Sequence, residues 1–228
     1  MVPVLSPIIA TMPSWLPSLS ILAVAYLVGS LSGSLLLGRM RGVDIRTQGS
    51  GNAGGTNAFR TQGPGFAIPV VVFDVGKGAL AAWLGMRFAP QVEGYPGATA
   101  HGYAAAFAAV LGHVWPLWHG FRGGKGAATL AGGVLVLWPW VAPVLLVAWM
   151  AVILATGYVG LATVVAGLSL VLAAWWTEAA PPRMWFSVAA AGLLLFSHRG
   201  NLRRLLRGEE SRFQRARLLH RLWRTRGG

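Results

Sequence analysis

The chain has 228 residues, 55% of them hydrophobic and only 11% charged. A soluble domain is about a quarter charged, so neither a soluble enzyme core nor a disordered chain fits this composition. Nineteen Lys and Arg stand against six Asp and Glu, a net of +13. No cysteine is present, which removes disulfides, thiolate metal sites and a cysteine nucleophile.

The remaining class is an all-α integral membrane protein, with 31 glycines for close helix packing and 11 tryptophans for interfacial belts. A bilayer core takes roughly 20 apolar residues per helix. In chain order, spans are predicted at 18–40, 64–88, 98–114, 126–139, 140–157, 158–176 and 183–198, with Pro139 and Pro143 marking the break between the fourth and fifth. Six spans, with 126–157 merged, is the competing count. No basic residue precedes Arg39, so the start does not read as a signal peptide. Seven spans with the N-terminus outside place Arg39, Arg41, Arg46, Arg60, Arg122, Lys125 and the ten arginines from Arg199 to Arg226 on the cytoplasmic side. That is 16 of the 19 basic residues, as the preference of Lys and Arg for cytoplasmic loops requires. Residues 1–198 read as one multi-span domain. Residues 199–228 read as a basic amphipathic tail against anionic lipid, not as a nucleic-acid binder.

The polar, glycine-rich stretches fall on that same side. Residues 46–60 place Ser50, Asn52, Thr56 and Asn57 among glycines that include Gly51 and Gly54, between Arg46 and Arg60. Glycines let backbone N–H groups converge on an anion, and the hydroxyls and amides add donors. No strand precedes the stretch, so it is not a dinucleotide fingerprint. A second stretch runs from Gly112 and His113 through Pro116 to Arg122, Gly123, Gly124, Lys125 and Gly126, where a turn opens a helix and sets Lys125 beside free amides. It lacks the Walker spacing. His113 serves there as a structural hydrogen-bonder or as a site residue. Asp74 and Lys77, at i, i+3 within an apolar run, form either a structural ion pair or part of a site. His198, Arg199, Gly200 and Asn201 close the last span, with His198 as base or hydrogen-bond donor.

Only Asp44 and Asp74 among the acidic residues lie near these loops, so no carboxylate-rich metal site is expected. His101, His113, His119, His198 and His220 show no metal spacing, and none has Asp five residues later, so the His–Asp acyltransferase motif is absent. No cofactor is expected. A site of Gly, Arg, Lys, Asn and Ser without a nucleophile suits two phosphorylated reactants meeting directly. The competing classes are a transporter of an organic phosphate and a non-catalytic scaffold. No inverted repeat supports the transporter.

Taken together, residues 49–57 with Arg60, Asp74 to Gly78, Gly112 to Pro116 with Phe121 to Gly126, Tyr158–Val159 and His198 to Asn201 resemble a bacterial membrane acyltransferase family, in that family's order and over about residues 22–205. The family makes lysophosphatidate from acyl phosphate and glycerol 3-phosphate. The resemblance implies seven spans, an outside N-terminus and a site facing the cytoplasm. It implies that Ser50, Gly51, Asn52, Gly54 and Thr56 hold the acyl phosphate. It implies further that Lys125, His198 and Asn201 hold glycerol 3-phosphate, with Arg60 among the phosphate binders. Departures are Gly55 for the usual Ala, Gly200 for a common Glu, Gly29-Ser30-Leu31-Ser32 for Gly-Ser-Ile-Pro, and Gly160 for the usual Ser, with Thr163 a candidate replacement for the lost hydroxyl. Membrane lipids are the other expected partners. The sequence does not specify an oligomeric state.

Overall fold

The computed structural model describes residues 15–90 and 96–213. Among these residues there are ten α-helices, two short 3-10 turns and no strand. The helices are α1 (Trp15–Gly29), α2 (Gly33–Met40), α3 (Gly55–Gln62), α4 (Pro64–Arg87), α5 (Ala98–Val114), α6 (Ala127–Leu137), α7 (Val141–Thr156), α8 (Val159–Trp176), α9 (Pro181–Ser197) and α10 (Arg199–Leu206). Their ends follow the punctuation in the sequence. Pro64, Pro143 and the Pro181–Pro182 pair sit in first turns, where a missing N–H costs nothing. Gly63 (φ +78°) stops α3 and Gly157 (φ +78°) stops α7, both in the left-handed region.

Six of the seven predicted spans coincide with a helix to within two residues at each end, and 126–157 is two helices, as predicted. The first span, predicted as continuous over 18–40, is instead broken at 30–32, and α1 and α2 meet at a 44° bend. Buried polar groups of α4 cause the break. Lys77 takes the Leu31 carbonyl at 2.8 Å and Asp74 accepts the Gly33 N–H at 3.2 Å, so these backbone groups are satisfied outside a helix ladder. Among the described residues, α4 and α8 are long and apolar enough to cross a bilayer, and α1 with α2 makes a third if the bent pair is one span. The helices α6 and α7 are apolar but shorter.

At the centre is α4, packed against α1, α2, α3, α5 and α6. Missing side chains permit this crowding. A Cβ on Gly78 would lie 1.9 Å from the Thr129 carbonyl oxygen, and one on Gly132 would lie 1.9 Å from that of Val75. Backbones this close are the usual means of helix association in lipid. The ammonium of Lys77 is fully used, with three hydrogens for three acceptors: the Leu31 carbonyl, Asp74 Oδ1 at 2.9 Å and His113 Nδ1 at 2.8 Å. The Asp74–Lys77 pair is therefore a structural lock between α1–α2, α4 and α5.

Trp140, Trp175, Trp176 and Trp185 are each more than two-thirds exposed, a poor arrangement in water and a usual one at a lipid headgroup boundary. They cluster around the far ends of α8 and α9. An apolar groove of about 510 Å³ lies there, lined by Trp138, Trp140, Leu172 and Trp176 among others. The polar loops gather at the opposite end of α8, near Tyr158.

Candidate active site

The first loop is built around Asn57, which is 2% exposed. Its Nδ2 lies 3.0–3.1 Å from the carbonyls of Ile45, Gln48 and Asn52, and its Oδ1 accepts the Ser50 N–H at 2.9 Å. One side chain thereby curls residues 45–52 into a cup. Gly49 (φ +55°) and Gly51 (φ +70°) supply the left-handed turns. Asn57 is spent on this framework. Among the described residues, the Ser50 and Thr56 hydroxyls and the Asn52 side-chain amide take no hydrogen-bond partner, and Ser50 and Thr56 are exposed. The first amide of α3 bonded within the helix is Ala58, to Gly54, so the N–H groups of Gly55 and Thr56 precede the ladder at a positive helix end.

Arg46 has another task. Asp44 caps the turn Ile45–Thr47, and the Arg46 side chain binds its carboxylate at 2.7–3.2 Å, which holds the Asp44 carboxyl down at about 2. The same guanidinium donates to the carbonyls of His119 (3.0 Å) and Arg122 (3.3 Å). Arg46 is thus a strut that joins the first polar loop to the second, and the two lie at one end of the bundle. Ser34 adds another tie from α2, donating to the Ala53 carbonyl at 2.7 Å.

In the second loop the chain folds back on the end of α5. Gly123 donates to the Val114 carbonyl (3.2 Å) and Gly124 to that of His113 (3.1 Å). A Cβ on Gly124 would meet the His113 ring at 2.1 Å. The two amides are occupied, so these glycines act by placing Lys125. His113 supports them from below while its Nδ1 meets Lys77. Gly126 (φ +89°) then opens α6.

Lys125 is gripped from both ends by the α9–α10 junction. Ser197 Oγ donates to its carbonyl at 3.0 Å, and its Nζ donates to Asn201 Oδ1. Burial pulls the Lys125 ammonium down to about 8; Glu210 opposes the shift, and Arg204 and Arg60 reinforce it. His198 is 5% exposed, and its Nδ1 donates to the Leu194 carbonyl at 2.9 Å, so the neutral ring keeps Nε2 as an acceptor. The expected catalytic set Lys125, His198 and Asn201 is brought together. Arg60 is exposed, and its guanidinium donates to the Ser211 carbonyl at 3.3 Å. Gly160 touches the set as well, since a Cβ there would lie 2.8 Å from Asn201 Cβ. Thr163 does not replace the lost hydroxyl. It donates to the Val159 carbonyl and accepts from Trp149, one turn away.

The described part of the tail is a short basic helix followed by a turn. Helix α10 ends at Leu206, Gly208 (φ +73°) turns the chain, and residues 209–213 run back as a strap that touches Asn201, Arg60 and Gly157. The leucines at 218, 219 and 222 and the remaining arginines lie outside the described residues. Sequence reading missed Ser197, Glu210 and the strap. The one available signal was a pair of glutamates in a tail of ten arginines.

An apolar exterior, glycine-packed helices and one polar end with uncommitted hydroxyls, helix-end amides and cations define an integral membrane protein. A family model described as glycerol-3-phosphate acyltransferase matches residues 19–208. The glycerol-3-phosphate acyltransferase of Symbiobacterium thermophilum is 38% identical over 193 residues, 85% of this chain and 93% of that one. Its counterpart in Shewanella oneidensis is 38% identical over 202 residues, 88% and 95% of the two chains. A solved structure of PlsY (YgiH), an integral membrane glycerol 3-phosphate acyltransferase in its glycerol 3-phosphate form, matches with a TM-score of 0.79 at 32% identity, over 86% of this chain and 95% of that chain. The chain belongs to the glycerol-3-phosphate acyltransferase family.

Proposed function

We propose that this acyltransferase takes its fatty acyl group from acyl phosphate and delivers it to the 1-hydroxyl of glycerol 3-phosphate, giving lysophosphatidate and phosphate. The site faces the cytoplasm of a bacterial inner membrane, in a domain that crosses seven times from an outside N-terminus. Residues 199–213 belong to the cytoplasmic side.

The observation that carries this reading is the side-by-side placement, at one end of the bundle, of two elements rich in amides, hydroxyls and cations. The first is the cup of Ser50, Gly51, Asn52, Gly54 and Thr56, with the N-terminus of α3 at its edge. The second is Lys125 with Asn201, His198 and Arg60. Arg46 ties the two loops together. An acyl phosphate is already activated, because phosphate is a good leaving group. The hydroxyl oxygen of glycerol 3-phosphate attacks the acyl carbon, the bond from that carbon to the phosphate oxygen breaks, and the hydroxyl proton passes to the departing phosphate or to His198 Nε2. The protein supplies alignment, worth roughly 7–11 kcal/mol, and donors that offset the charge of two phosphates. The acyl chain lies among the apolar helices and enters from the inner leaflet.

The test uses purified protein with glycerol 3-phosphate and either palmitoyl phosphate or palmitoyl-CoA, with lysophosphatidate and phosphate measured. Turnover with palmitoyl phosphate alone is expected, and turnover restricted to palmitoyl-CoA would overturn the donor assignment. Full turnover in His198→Gln would remove His198 as the base.

A further inference from the structure

The strap carries a carboxylate that the reaction above does not use. The side chain of Glu210 is 5% exposed. Its Oε1 accepts from Asn201 Nδ2 at 2.5 Å and its Oε2 accepts from Arg204 Nε at 2.8 Å. Four further contacts hold the strap in place. The Phe213 N–H donates to the Gly157 carbonyl at 2.8 Å, and the Phe213 ring meets Phe59 edge-on at 5.8 Å. Arg212 Nε donates to the Tyr158 hydroxyl at 2.7 Å, and Arg60 donates to the Ser211 carbonyl. The strap therefore joins α3, the turn before α8 and α10, the elements that surround Lys125.

An asparagine amide has two ends of nearly equal shape and opposite polarity. The end that faces Lys125 decides whether Asn201 accepts from the ammonium or confronts it with N–H groups. Gly160 lets the Asn201 side chain lie flat against α8, and a glycine offers no group that would fix the amide from that side. The carboxylate of Glu210 accepts only, so it takes the NH₂ end and leaves the oxygen for Lys125. We propose that Glu210 is a positioning residue for acyl transfer, acting through Asn201 to fix the place of Lys125 in the glycerol 3-phosphate pocket. The proposal rests on the function given above.

The charged and titratable groups that face Lys125 are Arg60 from α3, Arg204 from α10, Glu210 from the strap and the ring of His198 at the end of α9. Glu210 is the sole anion in that set. Its removal leaves Lys125 among cations, so the ammonium loses its proton at a lower pH. A strap that merely closed the fold would shift this midpoint through its charge and leave the KM for glycerol 3-phosphate unchanged.

The experiment compares Glu210→Gln and Glu210→Asp with the parent protein. The other strap contacts keep the Gln variant folded, and an unaltered thermal transition verifies this. The chain has two lysines, Lys77 and Lys125, and Lys77 is buried. Competitive labelling with acetic anhydride, read by peptide mass spectrometry against pH, therefore reports the Lys125 midpoint without any need for turnover. In Glu210→Gln the midpoint is expected to fall by about half a pH unit, threefold in proton affinity, and in Glu210→Asp to return toward the parent value. The KM for glycerol 3-phosphate is expected to rise about tenfold in Glu210→Gln, with the alkaline limb of kcat/KM displaced to lower pH. An unchanged midpoint or an unchanged KM in Glu210→Gln would overturn the proposal. So would a lower KM, which would make the carboxylate a plug that competes with phosphate. If the parent protein transferred no acyl group from any donor, the proposed function would fall, and the labelling arm would still decide whether Glu210 acts on Lys125.

Discussion

Replacing Asn57 with alanine separates residues that build the cup from residues proposed to face the substrate. The side chain uses both amide hydrogens on the Ile45, Gln48 and Asn52 carbonyls and its oxygen on the Ser50 N–H. Three bonding capacities are lost at about 1 kcal/mol net each. Gln48, Asn52 and Ser50 are near the surface and rehydrate, whereas Ile45 is fully buried, so its carbonyl adds part of a desolvation penalty. The total is about 3–4 kcal/mol, charged locally to residues 45–52. If the cup must be in place in the transition state, that is two to three decades in kcat/KM. Steady-state kinetics against glycerol 3-phosphate and acyl phosphate, with the thermal transition as control, measures the loss. Asn57→Asp keeps the acceptor, loses both donors and sets a charge against three carbonyls, and should fare no better. Ser50→Ala removes one exposed hydroxyl and should cost about tenfold. Asn57→Ala within threefold of the parent, or less harmful than Ser50→Ala, would refute the reasoning.

Three further outcomes follow from the geometry. Burial depresses Lys125 to about 8, so its charge is largely present below that pH and is lost as pH rises through it. The KM for glycerol 3-phosphate should accordingly climb between pH 8 and 10, over a range where the substrate charge is constant, as initial rates across a buffer series would record. Arg46→Ala frees the second polar loop from the first and should raise the KM of both substrates with little change in the thermal transition, because the strut lies outside the core. Gly132→Leu forces α6 away from α4, where even a Cβ would sit 1.9 Å from the Val75 carbonyl oxygen; overpacking of this kind costs 1–3 kcal/mol or more, visible as a lower thermal transition in detergent.

Helix positions were legible because lipid imposes a length and the chain marks its ends with Pro and Gly. Residues 64–88 and 98–114 became α4 and α5 almost unchanged. The break at 30–32 was not legible. Residues 18–38 carry no charge and no proline, and what divides them is a pair of ionisable groups some 40 positions away on α4, meeting the Leu31 carbonyl and the Gly33 N–H. A local reading sees Asp74 and Lys77 only as neighbours on one helix face.

The site divides along the same line. Residue types and glycine spacing marked the two polar loops, because tightly turned backbone needs positive φ and short polar side chains whatever the rest of the fold does. Roles within the loops depend on what each side chain meets across the chain. Arg46 looked like a phosphate ligand and is committed to Asp44 and two carbonyls of the other loop. Asn57 looked like a donor to substrate and is committed to its own loop, while Ser50 and Thr56, of the same apparent kind, stay uncommitted. This division has a chemical logic. With acyl phosphate as the proposed donor, the substrate carries its own leaving group, so the protein is asked for alignment more than for a nucleophile. Alignment on a glycine-rich loop demands that most of its polar groups hold the others still. The residues that touch no substrate should therefore rank among the most damaging to replace.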